Sequence, residues 1–360
     1  MSPLGHRLAE RIARSGPITV ADYMAAALGD PEHGYYRHAD PLGAGGDFTT
    51  APEISQLFGE LIGAWLIDCW DQAGRPGQFN LVELGPGRGT LMADILRVGR
   101  HVPAWLQAAR IHLVEINPRL RQAQAAALTG HAPQWHETFA TVPEGPVMLV
   151  ANEFLDALPI RQLAFLGGTW RERLVDWNAR SGFHFAPSEE RSPLSLLVPA
   201  GIAPAEGAVF ELSPAVISVG TEVARRIAAE GGAAVFVDYG RSESAVGESL
   251  QAVRAHRIVK VLENPGEADL SAHVDFALLA RVARDADAAA AGPVTQGALL
   301  SALGIGIRAE RLKRGLSGEA AEALDQAVTR LIGGQAMGRL FKALAIVQPD
   351  GIRPAGFETD

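Results

Sequence analysis

The chain has 360 residues, and its hydrophobic fraction of 48% is enough for a large α/β core with an appended part. The formal net charge is -9 and the sequence pI is near 5.6. This balance disfavours nucleic acid or an anionic membrane as the main partner, because both bind basic surfaces. A basic segment of another protein suits the charge better.

The single cysteine and the N-terminal sequence bear on the compartment. Cys69 lies in an apolar helical pattern and leaves no pair for an internal disulfide, which fits a reducing compartment. Arg7, Arg11 and Arg14 are spaced as in a transit peptide, but Glu10 interrupts them. No apolar run is long enough to span a membrane, so we expect a cytoplasmic protein without membrane insertion. The oligomeric state is left open.

Helices are predicted for residues 1 to about 30, with Thr19 or Asp22 as a cap and Gly29 as a stop. The glycine-rich loop 41–52 follows, and its composition favours a connector over a lid that covers a ligand. Over 53–72, apolar residues recur at helical spacing and predict one amphipathic helix.

Strands and helices then alternate, as they do in a mostly parallel sheet with crossover helices. Asn117 followed by Pro118 predicts the start of one such helix, with Gly130 as its stop. The predicted strands of this part are 79–84, 111–116, 134–139 and 147–150, and the first crossover helix is 90–97.

The alternation of strands and helices stops at residue 161. Two glycine-containing turns there predict a β-hairpin insertion over 161–211. A helix preceded by Ser213 and a strand over 233–239 return to the sheet. Further on, Ser271 is predicted to cap a helix, the alanine-rich tract around Ala288 is helix-prone, and Thr295 opens another helix. A late strand is expected over 340–347, and the tail from Pro349 is expected to be loose.

A glycine-rich turn follows the first strand of this pattern. Its G-x-G-x-G spacing differs from the G-x-G-x-x-G fingerprint of dinucleotide sites, which moves the cofactor from NAD toward S-adenosylmethionine. Such a turn brings the backbone close to a ligand at a helix N-terminus, although a tight turn without a ligand remains the alternative. The candidate cofactor residues here are Glu83, Gly85, Pro86, Gly87, Gly89 and Thr90.

A second carboxylate ends the next strand, about thirty residues on. There Glu115 is placed to accept hydrogen bonds from both ribose hydroxyls of a nucleoside cofactor, with Ile116 beside it. A solvated strand end is the alternative. Together with the glycine turn, this spacing favours S-adenosylmethionine as the cofactor. The ten histidines show no metal-ligand spacing, so no metal is assigned.

The stretch ANEFLDALP follows the strand at 147–150, where the reacting group sits in an open α/β sheet. Asn152, Glu153 and Asp156 are its catalytic candidates. Carboxylates hold a guanidinium by bidentate hydrogen bonds, so an arginine acceptor is preferred over a nucleobase or glutamine. Methyl transfer also requires a group that orients the nucleophile and accepts its proton.

Two further polar sites are candidates for the same cleft. Asp238 ends the strand AAVFVDYG, and His273 and Asp275 lie in SAHVDF. The alternatives are structural: strand-end capping for Asp238, and charge at a helix N-terminus for the other two.

Motifs spread over most of the chain resemble the MidA-like family of class I methyltransferases. That family includes the mitochondrial arginine methyltransferase that assists assembly of respiratory complex I. The resemblance implies S-adenosylmethionine binding, symmetric dimethylation of an arginine on the quinone-site subunit of complex I, and a class I fold with an extra domain. The matching motifs are GGDFTTAPEISQLFGELIGAW, LVELGPGRGTLMADILR, VEINPRLRQAQ, ANEFLDALPIRQ, VDYG, PGEADLSAHVDF, GPVTQGALLSALGI and MGRLFKALAI.

The same resemblance reinterprets the loop before the amphipathic helix as a segment over the cofactor, with Gly46, Phe48, Thr50 and Pro52 as contacts. We therefore expect an α/β fold with a Rossmann-like, mostly parallel sheet, an inserted β-hairpin region and an additional helical part. The predicted segments are 1–75 (helices and lid loop), 76–160 (cofactor-binding core), 161–211 (insertion), 212–262 (continued sheet) and 263–360 (helical cap and final strand).

The leading functional hypothesis is a protein-arginine methyltransferase acting on a complex I subunit. Two alternatives are kept. One is a non-catalytic assembly factor that binds S-adenosylmethionine to hold its own shape, and the other is an NAD-dependent oxidoreductase.

Overall fold

The structure is a computed structural model that describes residues 1–38 and 50–358. The helices of these residues are α1 Pro3–Ser15, α2 Val20–Gly29, α3 Tyr35–His38, α4 Ala51–Ile54, α5 Gln56–Gln72, α6 Thr90–Gly99, α7 Pro103–Ala108, α8 Pro118–Ala127, α9 Pro214–Glu230, α10 Phe276–Asp285, α11 Gln296–Ala302, α12 Ile305–Lys313, α13 Gly318–Ile332 and α14 Met337–Leu340.

The strands are β1 Ile18–Thr19, β2 Phe79–Leu84, β3 Ala109–Val114, β4 Gln134–His136, β5 Val147–Asn152, β6 Arg161–Leu166, β7 Thr169–Asn178, β8 Gly182–Arg191, β9 Val209–Leu212, β10 Gly232–Arg241, β11 Gln251–Arg254, β12 Arg257–Val259, β13 Asp269–Ser271, β14 Val274–Asp275, β15 Ala289–Thr295 and β16 Phe341–Val347.

The described residues form two compact units. The hairpin unit takes its residues from Met1–Phe48, Asp156–Ile217 and Glu243–Asp275. The sheet unit takes its residues from Thr49–Leu155, Ser218–Ser242 and Phe276–Asp360. The five-segment division made from the sequence stays a prediction.

A mixed sheet organises the sheet unit, with the order β15-β16-β10-β5-β2-β3-β4. Its strands from β10 to β4 run parallel, which confirms the predicted α/β fold with a mostly parallel sheet. The late strand β16 pairs antiparallel with β10, and β15 pairs antiparallel with β16. The carboxyl ends of β2, β3 and β5 therefore lie at one edge of the sheet, where ligands bind in open α/β folds.

Every residue of β2, β5 and the first part of β10 is buried, as expected for parallel strands covered on both faces. The apolar face of α5 packs into the same core and includes Trp65, Ile62 and Cys69. Burial raises the pKa of the Cys69 thiol, so this residue acts as a small hydrophobic side chain.

The hairpin unit is built on the sheet β1-β7-β6-β9, with β8 also paired to β7. Its turns at Gly167-Gly168 and Gly182 have positive φ, which confirms the predicted β-hairpins. A smaller sheet has the order β12-β11-β13. Of the two caps predicted for this helix, Thr19 is the residue that caps α2, and Asp22 completes a capping box with it.

The prediction of a single helix over 53–72 is wrong in one respect, because the structure has two helices there, α4 and α5. Ser55 is extended between α4 and α5, and its hydroxyl accepts a hydrogen bond from the Leu57 N–H at 3.2 Å. A serine side chain that bonds to nearby backbone competes with the helix and favours a cap. The break separates the short helix α4 from the long apolar helix α5.

Three predictions for the C-terminal third are also wrong. Ser271 does not cap a helix, because it lies in β13 and pairs with Gln251. The alanine-rich tract forms β15, since pairing with β16 overrides its helix propensity. The tail is not loose at Phe357, which is buried and meets Trp65 with ring centroids 6.1 Å apart.

Helices in the described ranges are all too short or too polar to cross a lipid bilayer.

Candidate active site

The glycine turn lies between β2 and α6. Gly85, Gly87 and Gly89 have φ values of 62°, 51° and 86°, a region that side chains other than glycine rarely adopt. Pro86 is buried between the first two glycines, and its carbonyl accepts the Gly89 N–H at 2.8 Å. The turn thus exposes backbone at the N-terminus of α6, as the spacing predicts.

Glu83 lies just before this turn and is 3% exposed. Burial raises the pKa of its carboxyl to about 8, and a hydrogen bond from the Met92 backbone opposes that rise. Its Oε2 atom has no hydrogen-bond partner among the described residues. A buried acceptor of this kind fits a cationic ligand group, which would satisfy the oxygen and favour the ionised carboxylate.

Glu115 follows β3 and is 8% exposed. Its Oε1 atom accepts the Asn117 N–H at 2.7 Å, and the Asn117 side chain caps α8 as predicted. Burial raises the pKa of the Glu115 carboxyl. Its neighbour Ile116 is 57% exposed, which is high for a large apolar side chain beside a candidate nucleoside site.

Gln124 joins these two parts of the site and was missed by the sequence reasoning. Its side chain, on α8, is fully buried at 0% exposure. The Nε2 atom donates to the Gly87 carbonyl at 2.7 Å and to Glu115 Oε2 at 3.2 Å. The Oε1 atom accepts from Trp135 Nε1 at 2.8 Å. A single glutamine inside a polar helix carries no sequence signal for such a position.

The end of β5 carries Asn152 and Glu153. Glu153 is one of the described non-glycine residues with positive φ, at 51°. Its Oε1 atom accepts the Ala51 N–H at 2.8 Å and the Asn152 side-chain amide at 3.2 Å. Asn152 is buried, and within the described residues its Oδ1 atom has no hydrogen-bond partner. The strand end thus presents one buried amide oxygen beside one anchored carboxylate.

The short helix α4 carries Glu53, which is the second site residue, after Gln124, that the sequence does not predict. Glu53 Oε1 accepts a hydrogen bond from the Thr90 hydroxyl at 2.6 Å, at the first residue of α6. Through Ala51 and Glu53, α4 contacts both the end of β5 and the start of α6. Thr50 precedes α4, and Pro52 is buried in its first turn. The other two predicted loop contacts, Gly46 and Phe48, lie outside the described residues.

Asp238 holds the turn that follows β5. It is 1% exposed. Its Oδ2 atom accepts the N–H groups of Phe154 at 3.0 Å and Leu155 at 2.7 Å, and its Oδ1 atom accepts the Tyr239 N–H at 2.8 Å. These contacts favour the structural alternative for Asp238, in which its carboxylate caps the strand end and positions the turn after β5.

The remaining candidates lie in the hairpin unit. Asp156 is half-buried, its pKa is raised by burial, and its carbonyl accepts the Ala272 N–H at 3.0 Å. The His273 N–H donates to the Ser249 hydroxyl at 2.8 Å. Asp275 is buried in β14 directly before α10. Asn152, Glu153 and Asp238 lie in the other unit.

A sequence profile of a family of S-adenosyl-L-methionine-dependent methyltransferases, the MidA-like family, matches residues 61–294. The chain belongs to this family. Membership decides between the cofactors weighed from the glycine spacing, so the cofactor is S-adenosyl-L-methionine and the oxidoreductase alternative is dropped.

Individual relatives agree with this assignment. A zebrafish (Danio rerio) protein named protein arginine methyltransferase NDUFAF7, mitochondrial, is 37% identical and aligns with 94% of this chain and 86% of its own length. The human protein of the same name is 34% identical over 96% of this chain and 84% of its own. A solved structure from Burkholderia thailandensis, bound to S-adenosyl-homocysteine, has a TM-score of 0.81 at 28% identity, covering 99% of this chain and 92% of that one.

These relatives correct one prediction. The cytoplasmic location inferred from the cysteine count and the N-terminal sequence is wrong by this comparison, because the aligned curated relatives are named as mitochondrial proteins.

One observation shows that the site residues of this methyltransferase fit its cofactor. The unpartnered Oε2 atom of buried Glu83 suits an ammonium group. At Gly89, an added Cβ would lie 3.2 Å from Gln124 Cα, so this glycine lets the turn pack closely against α8. In the described ranges, no three His, Cys, Asp or Glu side chains lie close enough to hold a metal ion.

Proposed function

We propose that this methyltransferase transfers its methyl group to an arginine side chain of a protein substrate. The observation that carries the proposal is the end of β5, where the unpartnered Oδ1 atom of Asn152 lies beside the anchored carboxylate of Glu153. Both oxygens are acceptors at the sheet edge where the reacting group sits in open α/β folds. The relatives named protein arginine methyltransferase support the same acceptor.

The chemistry assigns each group a task. Bound S-adenosyl-L-methionine supplies an electrophilic methyl group. Glu153 and Asn152 Oδ1 accept hydrogen bonds from the guanidinium N–H groups, which orients one nitrogen and increases its electron density. Formation of the new N–C bond would be matched by cleavage of the methyl–sulfur bond, with S-adenosyl-homocysteine as the leaving group and one proton lost from the attacking nitrogen. Asp156, three residues after Glu153 in the chain, is proposed to accept that proton.

Labelled methyl transfer to arginine-containing protein tests the proposal. The purified chain, labelled S-adenosyl-L-methionine and an extract of complex I subunits are incubated, and the protein is hydrolysed for amino-acid analysis. We expect label in methylarginine, and strong loss of label in Glu153→Gln with retained binding of S-adenosyl-homocysteine. Glu137→Gln, an exposed residue of the same unit, is the control. Label released by hydrolysis as methylamine or methanol, the products of a methylated glutamine or a methyl ester, would overturn the arginine assignment.

A subunit of respiratory complex I at the quinone site is the substrate that the family resemblance favours, with symmetric dimethylation as the product. Intact-mass analysis of complex I subunits from a strain lacking this chain tests that choice. One subunit should lose the mass of two methyl groups, and the wild-type gene should restore it. Unchanged masses in every subunit would move the substrate elsewhere while leaving the arginine chemistry intact.

A further inference from the structure

The orientation of the Gln124 amide follows from its partners. The indole nitrogen of Trp135 can only donate, so the amide oxygen must face it at 2.8 Å. The amide nitrogen then faces two acceptors, the Gly87 carbonyl and Glu115 Oε2. The amide nitrogen therefore donates two hydrogen bonds and the amide oxygen accepts one, and the side chain is fully buried.

This arrangement links two groups that are candidate contacts of the cofactor. The Gly87 carbonyl belongs to the glycine turn, and the Glu115 carboxylate is the proposed acceptor for ribose hydroxyls. One oxygen of Glu115 is held by the Asn117 N–H and the other by Gln124, so the plane of the carboxylate is set from both sides. Without Gln124, the second oxygen loses its donor in a buried environment.

We propose that Gln124 is a positioning residue that aligns the Glu115 carboxylate with the glycine turn and so creates the preference for a cofactor with a free ribose 2′-hydroxyl. The inference rests on the proposed ribose contact of Glu115. Gln124 itself is placed behind that contact and acts through it.

Two substitutions change the contact in different ways. Gln124→Met keeps the length of the side chain but removes all three hydrogen bonds. Gln124→Glu keeps an acceptor for Trp135 but turns a second oxygen toward the Gly87 carbonyl and the Glu115 carboxylate, where like charges repel. Removing the amide donor also raises the pKa of Glu115, because that hydrogen bond favours the ionised form.

Equilibrium calorimetry with two ligands tests the proposal on the full chain. The probes are S-adenosyl-homocysteine and its 2′-deoxy analogue. We expect Gln124→Met to weaken binding of the first about ten-fold or more, the loss of a hydrogen bond to a charged group, and to change binding of the deoxy analogue by less than about two-fold. The acid side of the binding profile for S-adenosyl-homocysteine should also move to higher pH.

Matched variants separate positioning from simple damage. Gln122→Met, an exposed residue of α8, should leave both affinities unchanged. Trp135→Phe removes only the donor to Gln124 and should give a smaller loss of the preference for S-adenosyl-homocysteine over its 2′-deoxy analogue. This variant keeps the proposal testable if Gln124→Met does not fold. Equal weakening for both ligands in the folded variants, with no change of the pH profile, would mean a structural role and overturn the proposal.

Glu115→Gln shows which of the two ideas fails. If this variant still prefers the ribose ligand as strongly as the wild type, the ribose contact of Glu115 is wrong. If it loses the preference while Gln124→Met and Trp135→Phe keep it, only the positioning role of Gln124 is wrong.

Discussion

The ring of Phe154 fills the space that the missing side chain of Gly85 leaves: a Cβ placed on Gly85 would lie 2.7 Å from Phe154 Cδ2. The glycine turn after β2 and the turn after β5 are therefore packed against each other. A change in one turn displaces the other.

Gly85→Ala should consequently impair two functions at once. The new Cβ clashes with Phe154, and the backbone at φ 62° costs about 1–2 kcal/mol for a residue other than glycine. We expect loss of S-adenosyl-homocysteine binding in calorimetry and a lower melting temperature. Gly77→Ala is the control, because nothing lies within 4 Å of its Cβ. Retained binding in Gly85→Ala would mean that the turn tolerates displacement.

Asp238→Asn tests the carboxylate that holds the turn after β5. The Asp238 carboxylate accepts the N–H groups of Phe154 and Leu155 on one oxygen and the N–H of Tyr239 on the other, and in Asp238→Asn one of these oxygens becomes an NH2 group that cannot accept. We expect a loss of about 1.5–3 kcal/mol in the free energy of unfolding, measured with denaturant. Methyl transfer should fall further than cofactor affinity. Asp285→Asn, on the exposed end of α10, should change neither.

Glu83→Gln tests the buried carboxyl near the glycine turn. Burial raises the pKa of Glu83 from 4.5 to about 8, so the folded chain holds a proton that the unfolded chain releases in this interval. Stability should therefore fall as pH rises from about 5 to about 8, by at most about 1.4 kcal/mol per pH unit.

In Glu83→Gln that fall should become smaller in the free energy of unfolding measured across the same pH range, while Asp94 and Asp156, whose pKa values burial also raises, leave a remainder at the acid end. Binding of S-adenosyl-homocysteine should also weaken, because a neutral amide attracts its ammonium less than a carboxylate does. A fall between about pH 6 and about pH 8 that is as steep in the variant as in the wild type would assign it to another group.

Asp156→Ala tests the proposed proton acceptor. We expect cofactor binding to stay close to the wild type and methyl transfer to be abolished. Because burial raises the pKa of Asp156, wild-type activity should fall with decreasing pH sooner than for an ordinary aspartate. Steady-state assays across pH and calorimetry with S-adenosyl-homocysteine measure both effects. An equal loss of binding and activity would instead place Asp156 against the cofactor.

Local signals in the sequence were sufficient for the glycine turn and for the caps of α2 and α8, but not at Ser271, which pairs in a sheet. Asn117 with Pro118 and Thr19 with Asp22 carry their structural role in neighbouring residues, so the pattern alone predicts it. The strand β15 was missed because its partner β16 is about fifty residues away, and pairing with it outweighs the helix propensity of alanine.

The same distinction applies to the candidate site. Glu83 and Glu115 could be located from their places at strand ends, whereas Gln124 and Glu53 could not. Their partners, Gly87 for one and Thr90 for the other, each lie thirty-seven residues away in sequence. Contacts of this range depend on how helices pack, and a single sequence does not record them.

The left-handed backbone of Glu153 has a consequence for how this protein would evolve in the laboratory. A glycine at that position would relax the φ of 51°, a conformation that costs about 1 kcal/mol or more for a residue with a side chain. A glycine would also remove the two hydrogen bonds that the Glu153 carboxylate accepts from Ala51 and Asn152, which offsets the relaxed backbone. Selection of a mutant library for heat resistance alone should therefore tolerate changes at position 153, whereas selection for methyl transfer should retain the glutamate. Position 153 would separate the two selections.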